Sequence, residues 1–126
     1  MAKERPTVRC STDGMPREEV IVLLLQAFRS LNWGVEHLHP MRIVAVMPTK
    51  NMILGDRITL DLDDAGFSAR SRPNGWNPFE RRATHERNLE LLRSAFEEAR
   101  KATSPEFLAT ELKELEESGV MRLDAS

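Results

Sequence analysis

The sequence has 126 residues, of which 40% are hydrophobic and 30% charged, the composition of one soluble globular domain. Its net charge of −2 and its aromatic content of 6% argue against a surface that recruits nucleic acid or stacks on bases. One cysteine, Cys10, excludes an internal disulfide framework, and no apolar run reaches the roughly 18 residues of a membrane span. The chain starts with charged residues where a signal peptide would be apolar, so we expect a cytoplasmic protein.

The first third of the chain predicts a strand, a helix and a pair of strands. A short strand is expected over 6–11, and a helix over 16–31, where a first-turn proline is followed by acidic residues. This helix has more apolar surface than one stripe provides. Either a second helix covers its other flank, or the surplus surface serves self-association. Strands are predicted over 33–39 and 41–47, and the second is apolar on both faces, as a central strand is.

The most regular local pattern predicts a hairpin over 55–76. Apolar and polar residues alternate over 58–63 and again over 67–72, and a turn at 64–66 separates the two runs. Each run therefore predicts a strand with one buried face. The segment 48–55 before the hairpin predicts a loop or a ragged edge, whose apolar residues Met52, Ile53 and Leu54 either line the mouth of a cavity or, as we favour, enter the core.

Two helices are predicted in the last third. The first extends over about 79–103, with apolar residues at spacings of three and four. Ser104 and Pro105 are typical of the start of a second helix, and Gly119 is typical of its end. That last helix carries a narrow leucine stripe on a charged cylinder, so it requires a packing partner.

Together these elements predict an α+β fold. We expect an antiparallel sheet of four strands, or five with the first segment, in mainly meander order, with two helices on one face and a short C-terminal helix. The domain is assigned to 1–103, and the helix and tail of 104–126 are appended to it. Residues 70–93 carry six arginines against three glutamates, a local +3, whereas residues 94–126 carry four basic against eight acidic residues, a local −4. The two segments either form solvated faces or attract each other within or between chains.

Residues with catalytic potential form no complete constellation. Cys10 has no histidine near it in sequence, His37 and His39 share one side of a strand, and HERNL at 85–89 lacks the second histidine of a metalloprotease motif. Neither a glycine-rich phosphate loop nor a GxSxG sequence occurs. We therefore predict a protein that is not an enzyme and has no metal or cofactor; an enzyme using Cys10 or His85 is the third hypothesis, and nucleic-acid binding ranks below it.

The best candidate contact surface combines arginines with a tryptophan at the end of the hairpin. Forked guanidinium groups beside an aromatic ring suit a carboxylate or a phosphate. In the alternative interpretation the arginines pair with the aspartates of the hairpin, and the tryptophan closes the core. The candidate residues are Arg70, Arg72, Trp76, Arg81 and Arg82.

Short motifs add a resemblance to a known class of domains. They are LNWG at 31–34, IVA at 43–45, GDRIT at 55–59, RSR at 70–72 and HERNL at 85–89. This series resembles the DUF1499-like group of small bacterial domains of unknown function, except that PNGWNPFERR replaces the acidic-glycine step before the last motif. The resemblance implies no catalytic residues. LKELEESGV at 112–120 is similar to the opening of the C-terminal oligomerisation helices called SHOCT, which implies self-association.

Two functions follow as expectations. The leading one is a non-catalytic cytoplasmic binding or scaffolding module that forms a homo-oligomer or binds a protein partner through Leu23, Leu112 and Leu115. The alternative is a carrier or sensor that holds a small amphipathic anionic ligand in a pocket between sheet and helices, with the arginines near Trp76 at the anionic head.

Overall fold

The computed structural model describes residues 6–48, 55–75 and 80–121. Within these ranges the chain forms five strands and three helices. The strands are β1 (Thr7–Ser11), β2 (Gly34–His39), β3 (Arg42–Val46), β4 (Asp56–Asp63) and β5 (Gly66–Pro73). The helices are α1 (Arg17–Leu31), α2 (Arg82–Ala102) and α3 (Pro105–Ser118).

One antiparallel sheet contains all five strands, in the order β1-β5-β4-β3-β2. Strands β2 to β5 form a meander, and β1 joins it at the edge of β5. The predicted α+β fold is therefore confirmed, with the first segment as a true fifth strand. β3 lies between β2 and β4, as its two apolar faces predicted.

Alternation along β4 and β5 decides which face of the sheet is covered. Ile58, Leu60 and Leu62 of β4 are buried on the same side as Phe67 and Ala69 of β5. The helices pack on this side, and the intervening residues of both strands point to the opposite side. None of the described helices packs on that opposite side, which we call the open face.

The surplus apolar surface of α1 is explained by its neighbours. α2 and α3 both pack against α1, so that its residues are buried from Val20 to Leu24 and again at Ala27 and Phe28. The helix ends at Asn32, whose φ of 60° is left-handed, and the Asn32 N–H donates to the carbonyl of Arg29. The interpretation that a second helix covers the other flank is the correct one.

The last helix begins and ends where the sequence predicted. The Ser104 hydroxyl accepts the Phe107 N–H at 3.1 Å, and Gly119 takes a φ of 79° at the C-terminal end. Leu115 is buried, and Leu112 packs against the same core. The start of α3 lies near the end of α1 and its end near the start of α1, so the two helices run antiparallel.

Candidate functional site

Within the described residues, a hydroxyl, a histidine and a carboxylate meet beneath the start of α2. Ser71 of β5 faces the helices, and its Oγ lies 2.7 Å from Nδ1 of His85. Nε2 of the same ring lies 2.8 Å from Oε2 of Glu80. On the other side of Ser71, the Asn88 Nδ2 lies 3.1 Å from Oγ and 2.7 Å from Oδ2 of Asp56. We call these five hydrogen-bonded residues the polar chain.

Counting hydrogens fixes the direction of the two bonds that Asn88 makes in the polar chain. Asn88 donates its two amide hydrogens to Asp56 and to Ser71 Oγ. Nδ1 of His85 shares one hydrogen with Ser71 Oγ, and Nε2 shares another with Glu80; the tautomer of the ring sets the direction of both bonds. Both ring nitrogens of His85 are thereby occupied.

The solvent exposure of its side chains decides whether the polar chain can act on a substrate. Ser71 is 0% exposed, Asn88 2% and His85 3%. A nucleophile has to reach the atom that it attacks, and the Ser71 hydroxyl has no exposed surface from which to do so. The residue types are those of a hydrolase triad, but here they join the start of α2 to β4 and β5. The role that the geometry supports is structural.

The structure separates the arginines that the sequence grouped. Arg70 and Arg72 lie on the open face, since they alternate with the buried residues of β5. Arg81 and Arg82 lie at the start of α2, in the helical layer. Trp76 lies outside the described residues. The four described arginines therefore belong to two sites on different sides of the sheet, not to one surface.

Charged side chains on the open face form ion pairs across the strands. Arginines exceed carboxylates by two, with Arg9, Arg42, Arg57, Arg70 and Arg72 against Glu36, Asp61 and Asp63. The shortest ion pairs are Arg9 with Asp63, Arg42 with Asp61 and Arg57 with Glu36, each at 2.8 Å. Hydrogen bonds from the Arg9 guanidinium and from the Ala65 N–H lower the pKa of Asp63 to about 2.

The excess positive charge lies at one corner of the open face, where β4 begins and β5 ends. Arg57 and Arg72 are directly opposite each other in the β4–β5 register, and like charges at such positions repel. Arg57 is held by Glu36 at 2.8 Å and by Asn74 Oδ1 at 3.1 Å. Over the described ranges, the Arg72 side chain forms neither an ion pair nor a hydrogen bond. We call Arg57, Arg70 and Arg72 the arginine corner.

The leucines predicted as oligomer contacts pack within the chain. Leu23 is 3% exposed and Leu115 7%, and Leu112 packs against the same core. Their side chains pack where α1 contacts the other helices, so little of their surface is exposed to a second molecule. The sequence identified apolar positions correctly but could not tell an internal neighbour from an external one.

The histidine pair of β2 lies on the sheet edge. The rings of His37 and His39 are nearly parallel, with centroids 6.2 Å apart. The Met41 N–H donates to Nδ1 of His39 at 3.1 Å, so the neutral ring carries its hydrogen on Nε2 and keeps no lone pair for a metal. Across the described ranges, histidine, cysteine, aspartate and glutamate side chains form no group of three or more that could hold a metal ion.

Cys10 faces the helices from β1 and is 7% exposed. Burial raises the pKa of its thiol, and the charge of Arg93 opposes that shift only in part. A nucleophilic cysteine requires a lowered pKa and access to its substrate. Cys10 has neither property.

Among the described residues, two concavities lie between the helices. One of about 510 Å³ is formed by α1, α2 and the start of α3 and includes Glu98. The other, of about 420 Å³, lies between the start of α1 and the end of α3 and includes Glu19 and Glu116. Neither is lined by an arginine, and both are separated by the sheet from Arg70 and Arg72. These concavities are therefore not the predicted pocket for an anionic head.

Sequence reasoning missed the polar chain, although a signal for it exists. Ser71 falls in the buried register of β5, two residues after Ala69, and Asn88 lies on the buried stripe of α2, three residues after His85. A polar side chain at a core position has to find a partner in the interior. The sequence does not show which side chains pair with Ser71 and Asn88, because the pairing depends on how α2 packs against the sheet.

Comparisons with known proteins assign no family. No protein-family model matches the chain, and no curated protein matches it. The resemblance to DUF1499-like domains and to SHOCT helices stays a prediction from short motifs. None of the described helices combines the length and the apolar character needed to cross a membrane.

Proposed function

We propose that this chain is a non-catalytic binding or scaffolding module that self-associates in the cytoplasm. One observation supports this most directly: the helices cover one face of the sheet, and among the described residues the open face carries two more arginines than carboxylates. A broad face with local charge excess suits a contact with an oppositely charged surface.

The placement of the reactive groups supports a role without catalysis. The Ser71 hydroxyl and the Cys10 thiol are buried, and His85 uses both ring nitrogens within the polar chain. General acid–base and nucleophilic catalysis both require such groups to reach a substrate. A single buried cysteine also suits a reducing compartment, which supports the cytoplasmic part of the proposal.

A protein surface fits the open face better than nucleic acid does. Within the described strands, the residues on this face include no phenylalanine or tryptophan, whereas sheets that bind single strands stack bases on aromatic rings. The net charge of −2 also disfavours a polyanion as the partner. The arginine excess is therefore better matched by a limited acidic patch on a protein.

Light scattering and native mass spectrometry of untagged protein over a concentration series test the proposal. At low ionic strength we expect monomer to give way to dimers and larger species as the concentration rises. High salt should restore the monomer, because screening weakens contacts between exposed charges. A bare monomer at every concentration would contradict self-association, and a monomer with a reproducible added mass would favour the carrier instead.

A further inference from the structure

The basic and acidic surfaces of this molecule lie on opposite sides of its sheet. α3 packs along α1 in the helical layer, and the arginine corner lies on the open face. The two surfaces cannot meet within one chain, because the sheet stands between them. We propose that the outward side of α3 in one molecule docks on the arginine corner of a second copy, a contact that rests on the self-association proposed above.

The helix contributes an unpaired row of carboxylates. α3 carries five glutamates against one lysine, a local −4. Its leucines pack toward the core, and Glu106, Glu114 and Glu117 fall on the other side by the helical period. All three are exposed, and none forms an ion pair with another described residue.

In the arginine corner, the arginines outnumber the carboxylates that pair with them. Arg72 has no described partner, and Arg70 lies 3.5 Å from Asp61, which Arg42 already holds at 2.8 Å. A docked carboxylate would relieve the repulsion between Arg72 and Arg57, which are opposite each other. Exposed guanidinium groups in this arrangement take carboxylates in forked pairs.

The glutamates of α3 and the arginines of the arginine corner are similarly spaced. Residues three apart in a helix, such as Glu114 and Glu117, are separated by a rise of about 4.5 Å. Neighbouring strands, such as those that carry Arg57 and Arg72, are separated by about 4.8 Å. A helix lying across β4 and β5 therefore places successive carboxylates over successive strands.

The occupant is a second copy because each molecule carries both complementary surfaces. The two surfaces lie on opposite sides of the molecule, so the contact is heterologous: it repeats from molecule to molecule, in an open series or a larger ring, and does not close in a two-fold dimer. We therefore expect a graded series of species in place of one dimer.

Charge reversal on the two surfaces tests the contact. The sheet variant is Arg70→Glu with Arg72→Glu, and the helix variant is Glu114→Lys with Glu117→Lys; all four positions are exposed. Each variant alone should associate at least about tenfold more weakly than the wild type, because each then opposes like charges. An equimolar mixture should regain association, since each surface again finds an opposite charge on the other variant.

A matched control reverses two exposed positive charges of α2, in Arg87→Glu with Lys101→Glu, and should associate as the wild type does. Circular dichroism and urea unfolding confirm that every variant is folded. If wild type associates and both surface variants do so equally well, or if the mixture fails to recover, the proposed contact is wrong while self-association stands. A wild type that remains monomeric would overturn the proposed function itself.

Discussion

At Ser71 a single hydroxyl joins β5 to α2, since it accepts a hydrogen from Asn88 and forms a hydrogen bond with Nδ1 of His85. Replacing it in Ser71→Ala leaves a ring nitrogen and an amide hydrogen unpaired in the interior. We expect the free energy of unfolding to fall by about 1–3 kcal/mol, the usual cost of an unsatisfied buried group. Urea denaturation followed by circular dichroism measures it.

Ser68 provides the matched control, because it lies on the same strand but on the open face. Ser68→Ala should change the free energy of unfolding by no more than about 0.5 kcal/mol, as a surface substitution usually does. Equal losses for the two variants would show that the polar chain contributes no more than an ordinary strand position.

Burial also decides the chemistry of Cys10. Its thiol pKa is raised in the folded state, so at a pH above the unfolded value of about 8.5 the unfolded chain ionises first. The stability that the buried thiol contributes is present below that pH and is lost as the pH rises through the folded pKa. We expect iodoacetamide to label Cys10 much more slowly in native protein at pH 8 than in guanidinium chloride, as measured by mass spectrometry. Rapid native labelling would restore Cys10 as a candidate nucleophile.

Among the secondary-structure elements, α3 tests whether residues 104–126 belong to the domain or are appended to it. The sequence assigned 104–126 as an appendage, whereas Leu115 of α3 belongs to the core cluster that α1 and the sheet share. Leu115→Ala should therefore lower the free energy of unfolding by about 2–4 kcal/mol, in one cooperative transition.

Leu91 of α2 is the control for that substitution, because it is 40% exposed. Leu91→Ala should cost less than about 1 kcal/mol, since it loses little buried area. A small loss at Leu115, or a separate early transition, would show that α3 unfolds independently of the remaining structure.

Local signals explain which elements the sequence predicted well. The start of α3 at Ser104 and Pro105 and the hairpin of β4 and β5 follow from residues that act on their immediate neighbours. The start of α2 was predicted at about 79 but lies at Arg82, where Arg81 caps the helix without a side-chain hydrogen bond. Without a capping side chain, the sequence gives no sharp signal for that boundary.

For the whole molecule, the order of the strands predicts a gradient of local stability. β4 is paired on both sides, by β3 and β5, whereas β1 and β2 are edge strands. Hydrogen exchange should be slowest for amides of β4 and faster in β1 and β2, because edge strands open without disrupting the centre. If the amides of β2 exchange as slowly as those of β4, a second chain pairs with the β2 edge of the sheet.

The distribution of charge could be predicted from the sequence only in part. The local +3 of residues 70–93 includes Arg70 and Arg72, but Arg9, Arg42 and Arg57 reach the same face from distant parts of the chain. The sequence also joined Arg81 and Arg82 to that surface, although the sheet separates them from it. Strand register and face, which require the assembled sheet, decide the surface to which a charge contributes.

The pairing of β1 with β5 has a consequence for how the chain is made. Thr7 pairs with Arg70, so β1 cannot join the sheet until β5, the last strand in sequence, has been synthesised. Contacts so far apart in sequence form slowly. In the meantime α1 emerges with its apolar residues uncovered, since α2, α3 and the hairpin are synthesised after it. The segment from Val20 to Phe28 is thus a place where a chaperone would bind the nascent chain, until α2 and α3 have been synthesised and bury it.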